Sequence, residues 1–154
     1  AEKDYPVPKV LLEPGRSIVA NAGLTLYRVG GIKTIEGYRS YVTVNGGMTD
    51  NPRYALYKAP YTVVPASRMN DARDFTCTVA GRCCESGDLI QENIQLPEMR
   101  RDDLLAVLTT GAYNFTMASN YNRLCRPALV MVRNGKARLA VRRQTFADLV
   151  ACDL

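Results

Sequence analysis

The stretch VAGRCCESGDLI, residues 79–90, sets two thiols, Cys83 and Cys84, directly before a carboxylate, Glu85, and a Ser-Gly-Asp turn. A free thiol has an ordinary pKa near 8.5, so near neutral pH it is mostly protonated and can act as an acid. A carboxylate beside it adds negative charge and favours the protonated form. In a regular strand, alternation lets only one of two adjacent cysteines face inward. The chain holds no histidine, which removes histidine bases, Cys-His dyads and imidazole metal ligands. Its five cysteines are odd in number and lack a C-x-x-C pair, which argues against a disulfide framework or a zinc site. Chemistry therefore falls to Cys, Tyr, Arg, Lys, Asp or Glu, or to a cofactor.

Three other stretches join turn residues to charged or phenolic side chains: EPGR at 13–16, GGMTDNPRYALY at 46–57 and TGAYNFTMASNYN at 110–122. Taken singly, each has an ordinary reading. Glu13 and Arg16 make a surface ion pair, Arg53 and Tyr57 are surface residues, Tyr113 is a core aromatic with one wet end, and the cysteines are small core hydrophobes.

Loops of this kind need a scaffold, and the rest of the chain reads as β structure. LTLYRVGGIKTI, YRSYVTVN, YTVVPAS, FTCTVAG and DLIQENIQL are rich in Val, Ile, Thr and Tyr, with alternation predicting strands. Gly30-Gly31 predicts a bulge or bend. DDLLAVLTT is ambiguous by periodicity and reads as a strand because turn signals bound it closely. PALVMVRNGKARLAVRR predicts a hairpin turning at Asn134-Gly135 in a type I′ turn. Thr145 is the expected N-cap of a short C-terminal helix. Short strands with turns every 8 to 12 residues predict a mainly β fold, an antiparallel Greek-key-like barrel with a few short helices over about residues 24–143. Ahead of it, residues 9–12 read as a short buried strand and 17–21 as a short helix with Gly23 as a left-handed cap.

Composition bounds the partners. The 154 residues carry 47% apolar and 23% charged side chains, as in a globular domain. No apolar run reaches the roughly 20 residues of a spanning helix, and the start lacks a signal-peptide core, so the expectation is a cytoplasmic protein without a membrane partner. The net charge of +5 is spread among acids without a basic, aromatic-laced run, which argues against nucleic acid and leaves anionic small molecules.

The order EPGR, GGM-x-D-x-x-R-x-x-L-Y, CESGD and GAY, over about residues 9–149, resembles the C-terminal part of the diaminopimelate decarboxylases. These are pyridoxal phosphate enzymes of the alanine racemase-like fold type. EPGR alone also occurs in ornithine and arginine decarboxylases. The resemblance implies decarboxylation of meso-2,6-diaminopimelate to L-lysine and CO2, a step of lysine biosynthesis. It implies that Glu13 pairs with the cofactor's pyridine nitrogen and that Gly15, Arg16 and Tyr113 lie at its phosphate. Arg16 and Tyr113 would also reach the substrate. Arg53 and Tyr57 would bind the distal carboxylate and Glu85 the distal ammonium. Cys84 would be the proton donor, with Cys83 structural. The family's site is shared across a homodimer, with the CESGD loop serving the partner subunit.

The sequence also departs from the family. The cofactor's Schiff-base lysine belongs to a (β/α)8 barrel, which takes about 250 residues. None of Lys3, Lys9, Lys33, Lys58 or Lys136 lies in a stretch like the lysine motif, and the family's ring-stacking histidine is missing. Asn45 stands where the family usually has Asp. The expectation is a fragment: residues 1–23 as the remnant of the barrel's last strand and helix, residues 24–154 as the C-terminal β domain, inactive alone. The alternatives are a related ornithine- or arginine-type decarboxylase and a non-catalytic dimerisation or regulatory β module.

Overall fold

A computed structural model describes residues 6–154. Lys3 and the rest of residues 1–5, part of the expected barrel remnant, lie outside the described residues. Six strands form one sheet: β1 (Leu24–Ile35), β2 (Arg39–Val44), β3 (Val63–Pro65), β4 (Phe75–Ala80), β5 (Leu89–Leu96) and β6 (Leu104–Leu108), in the order β3-β6-β1-β2-β4-β5. Its edge strands β3 and β5 approach each other, so the sheet is a nearly closed barrel. The expected β architecture is therefore present, with two corrections. β2 and β4 pair in parallel, because the chain between them crosses over instead of turning back. β7 (Leu129–Arg133) and β8 (Lys136–Val141) lie outside the barrel as a separate two-stranded sheet. All of β8, and β7 from Val130 onward, is exposed, so this hairpin has no face packed on the core.

The core follows from strand alternation. Tyr27 and Val29 of β1 and Val42 and Val44 of β2 point inward, where they meet Val79, Ile90, Leu96 and Leu105. Each fully buried aliphatic side chain contributes roughly 1.5–3 kcal/mol. Leu105, Ala106 and Val107 of β6 are all buried, so both faces of this strand are covered. That is why its sequence shows no period of two.

β1 serves both halves of the barrel. Residues Leu24 to Arg28 pair with β6, and the register with β2 shifts between Val29 and Gly31. The predicted Gly30-Gly31 bulge thus bends one long strand from one half to the other. Asn45 is a backbone partner of β1. Its N–H donates to Arg28 O at 3.0 Å, and its Oδ1 accepts from Arg28 N at 2.9 Å. Asn134 and Gly135 have φ of 50° and 72°, as the hairpin signal requires. Thr145 caps the last helix, Phe146–Leu149, in a reciprocal capping box with Asp148.

The N-terminal segment differs from expectation. Residues 9–12 form no strand, and Leu11 and Leu12 are 78% and 82% exposed. An extended segment needs a neighbour to satisfy its backbone, and among the described residues none lies beside it. Leu11 and Leu12 therefore do not pack on the barrel of their own chain, where a buried strand was expected. Helix α1 (Arg16–Val19) and the 3₁₀ turn Ala20–Ala22 do dock. Gly23 is extended rather than left-handed. It is needed for space: a Cβ there would lie 2.4 Å from Gly111 Cα.

Candidate functional site

Backbone contact between two glycines assembles one side of the site. Gly111 N donates to Ala20 O at 2.9 Å, and Thr110 N to Gly23 O at 3.0 Å. This pins the EPGR segment to the TGAY turn. Arg16 Nη1 then reaches Ala112 O at 3.2 Å, and its guanidinium lies 5.1 Å from the Tyr113 ring centroid. Gly15 sits at the Tyr113 hydroxyl, where a Cβ would come within 2.1 Å of Oη. The structure thus brings Gly15, Arg16 and Tyr113 together. Tyr113 is half exposed and has a φ of 68°, a left-handed conformation that a non-glycine residue holds only when its surroundings enforce it. The anchor is the next residue. Buried Asn114 donates through Nδ2 to Tyr61 Oη at 2.8 Å and also to Asn51 Oδ1.

Helix α2 (Arg53–Tyr57) supplies the other side. Its length places Arg53 and Tyr57 one turn apart on a common face. Tyr54, on another face, is buried and bonded to Glu92, which pairs with Arg39 at 2.6 Å. Arg53 lies over the Tyr61 ring at 5.6 Å, and Tyr57 is exposed. Beneath both sides runs a buried polar network. Tyr27 Oη donates to Asp50 Oδ2 at 2.6 Å and accepts from Asn51 Nδ2 at 2.6 Å. Burial, followed by the charge of Asp50, pushes the Tyr27 phenol well above its usual range. Sequence reasoning missed Asn51, Tyr61 and Asn114. Their only signal was position inside the two motifs or just after one.

The thiol loop forms a second group. Asp88, nearly fully buried, accepts from Met48 N at 2.6 Å and Cys83 N at 2.7 Å. It thereby ties the GGM turn to CESGD. Burial, then the charge of Asp88, pushes the Cys83 thiol up to about 11. Cys84 is exposed, and its N–H donates to Asn122 Oδ1 at 2.8 Å. Glu85 Oε1 accepts from Ser86 Oγ and Gly87 N, both at 3.3 Å. Among the described residues no hydrogen bond or ion pair links Cys84 or Glu85 to Arg16, Arg53 or Tyr113. Glu13 is exposed and makes no ion pair with Arg16, so it is not gathered into the first group.

The first group has the donors and positive charge to receive an anion. Arg16 spends one donor on Ala112 and retains others, Arg53 has no carboxylate partner among the described residues, and both positive charges act on the Tyr61 phenol. This fits the phosphate end of pyridoxal phosphate.

Residues 17–111 match the family described as "Pyridoxal-dependent decarboxylase, C-terminal sheet domain". The diaminopimelate decarboxylase of Bacillus subtilis is 53% identical over 150 residues, 97% of this chain and 34% of that protein. That of Synechocystis is 50% identical over 98% of this chain and 32% of that protein. The chain thus spans about a third of the length of these relatives. A crystal structure of diaminopimelate decarboxylase superposes with a TM-score of 0.86 at 36% identity, over 92% of this chain and 36% of that one. The M. jannaschii enzyme in complex with L-lysine gives 0.85 at 35% identity, over 96% of this chain and 33% of that one. A lysine/ornithine decarboxylase from Vibrio vulnificus gives 0.62 at 29% identity, over 71% of this chain and 30% of that one.

Proposed function

The chain belongs to the pyridoxal-dependent decarboxylases, as their C-terminal sheet domain, and from that premise we propose that it builds part of the active site of a diaminopimelate decarboxylase. The reaction converts meso-2,6-diaminopimelate to L-lysine and CO2. The carrying observation is the convergence of Gly15, Arg16 and Tyr113 beside Arg53, two guanidinium groups and a phenol on one surface. The higher structural similarity to diaminopimelate than to lysine/ornithine decarboxylases favours this reading over the ornithine or arginine alternative.

Gly15, Arg16 and Tyr113 would hold the phosphate of pyridoxal phosphate, which when bound would supply an electron sink for decarboxylation. Glu13, exposed in this chain, would serve the cofactor's ring nitrogen. Arg53 presents a planar fork to the distal carboxylate, and Tyr57, one turn on, adds a hydroxyl. Cys84 Sγ delivers the proton that replaces CO2, and Glu85 receives the distal ammonium. Cys84 and Glu85 act in the site of a second copy within a cytoplasmic homodimer; this part of the reading rests on the family resemblance, and the lack of any bond from either residue to Arg16, Arg53 or Tyr113 among the described residues is compatible with it. Asp88 shapes the loop so that Cys83 faces inward and Cys84 outward.

The test is turnover by the full-length protein that carries these residues. Lysine formation from meso-diaminopimelate is expected to exceed conversion of ornithine or arginine, and to fall much further in Cys84→Ala than in Cys83→Ala. Preference for ornithine, or equal losses from the two cysteines, would overturn the reading. The 154-residue chain alone is expected to form no lysine and to trap no cofactor on borohydride reduction.

A further inference from the structure

We infer that Tyr61 is a positioning residue for Arg53 and so sets how strongly the site selects ligands with a distal carboxylate. The inference rests on the reading of Arg53 as the ligand of that carboxylate. A long arginine side chain loses rotamer freedom when it grips a ligand, and holding it in place beforehand lowers that cost. Tyr61 is built to do so. Its ring lies under the Arg53 guanidinium at 5.6 Å, within cation–π range. Its hydroxyl accepts from Arg53 N at 3.3 Å, so one residue contacts both ends of Arg53.

Tyr61 is itself fixed from several directions. It is 5% exposed. Its backbone N–H donates to Gln91 Oε1 at 3.0 Å, next to Glu92, which holds Tyr54 of the same helix as Arg53. Its hydroxyl also accepts from Asn114 Nδ2 at 2.8 Å, the residue that follows Tyr113. Burial raises the phenol's pKa, so the ring stays neutral and does not cancel the charge of Arg53. Tyr61 therefore joins the helix that carries Arg53 to the turn that carries Tyr113, while its own side chain stays below the surface.

The chemistry of the ligands provides the assay. Loss of the D-centre carboxyl leaves L-lysine with the distal amino acid group intact, whereas cadaverine keeps the amine and lacks the carboxylate. In the full-length decarboxylase, Tyr61→Leu is expected to raise KM for meso-diaminopimelate and the inhibition constant of L-lysine about tenfold. Cadaverine inhibition and kcat are expected to stay within roughly twofold to threefold, and Tyr61→Phe, which keeps the ring, to give about a threefold loss. Tyr61→Phe also serves if the leucine variant fails to fold. In an Arg53→Ala background the Tyr61 substitutions are expected to add little. Full multiplication of the two effects, or equal weakening of lysine and cadaverine by Tyr61→Leu, would overturn the inference while leaving Arg53 as the ligand. If Arg53→Ala alone weakens lysine no more than cadaverine, the role of Arg53 falls, and that of Tyr61 with it.

Discussion

Replacing Gly111 by alanine places a methyl group where the backbone leaves no room. The new Cβ would lie 2.2 Å from Val19 O, 2.8 Å from Gly23 N and 3.0 Å from Ala20 O. All three are main-chain atoms, so no side chain can swing aside. The segment 16–23 must withdraw by about 1 Å to restore ordinary contact distances. That withdrawal breaks the hydrogen bonds from Gly111 N to Ala20 O and from Thr110 N to Gly23 O, at about 1 kcal/mol each. Residual strain adds about 1–3 kcal/mol. The expected loss is about 3–5 kcal/mol, or roughly 10 °C in Tm for a domain of this size. Urea and thermal unfolding followed by circular dichroism measure it. Gly37→Ala is the control: Gly37 has a φ of +71° with nothing within 4 Å of a built Cβ, so its cost is conformational, about 1 kcal/mol. A Gly111→Ala variant within 1 kcal/mol of the parent would refute the claim that the glycine contact is what seats Arg16 against Tyr113.

Glu92 gives a dependence on pH. Hydrogen bonds from Tyr54 and then Arg39 hold its carboxyl below the usual range. Its contribution is therefore fully present above the ordinary carboxylate pKa of about 4.3 and is lost as pH falls through the lower folded value. Glu92→Gln is expected to be less stable than the parent near neutrality, and the gap should narrow in acid; a gap that stays constant down to pH 2 would contradict this. Thiol labelling at pH 8 in native buffer is expected to modify exposed Cys84 well before Cys83 or Cys77, whose thiols burial pushes up to about 11. Comparable rates at Cys83 and Cys84, read by peptide mass, would contradict the assigned orientation of the pair.

The strands were legible because their side chains alternate against a single core, and the Asn134-Gly135 turn because its backbone conformation demands those residue types. The motifs carried Gly15, Arg16 and Tyr113 to one place. Three things were not legible. The parallel pairing of β2 with β4 depends on a crossover that leaves no local pattern. The function of Gly23 depends on a residue far along the chain, since it is Gly111 that forbids a side chain there. Asn51 and Asn114 lay inside the motif stretches and Tyr61 at the start of an expected strand without any of them being singled out, because a buried polar network shows itself only once its members meet. The strand expected at 9–12 failed for the opposite reason: apolar residues alone do not make a strand without a neighbour to pair with.

The crossover between β2 and β4 constrains how this domain can vary. A surface loop usually accepts insertions because its ends are anchored by elements that do not depend on its length. Here residues 45–74 leave β2, carry Arg53, add β3 to the far edge of the sheet beside β6, and return to pair β4 with β2. The segment bearing Arg53 and Tyr61 is thus also the strap that draws the two edges of the barrel together. Lengthening it would loosen the closure, and shortening it would tear β3 from β6. On the reading of Arg53 as a ligand contact, changes in preference here are expected to come from exchanged side chains on a strap of fixed length, and engineered insertions are expected to be better borne by the exposed hairpin of β7 and β8.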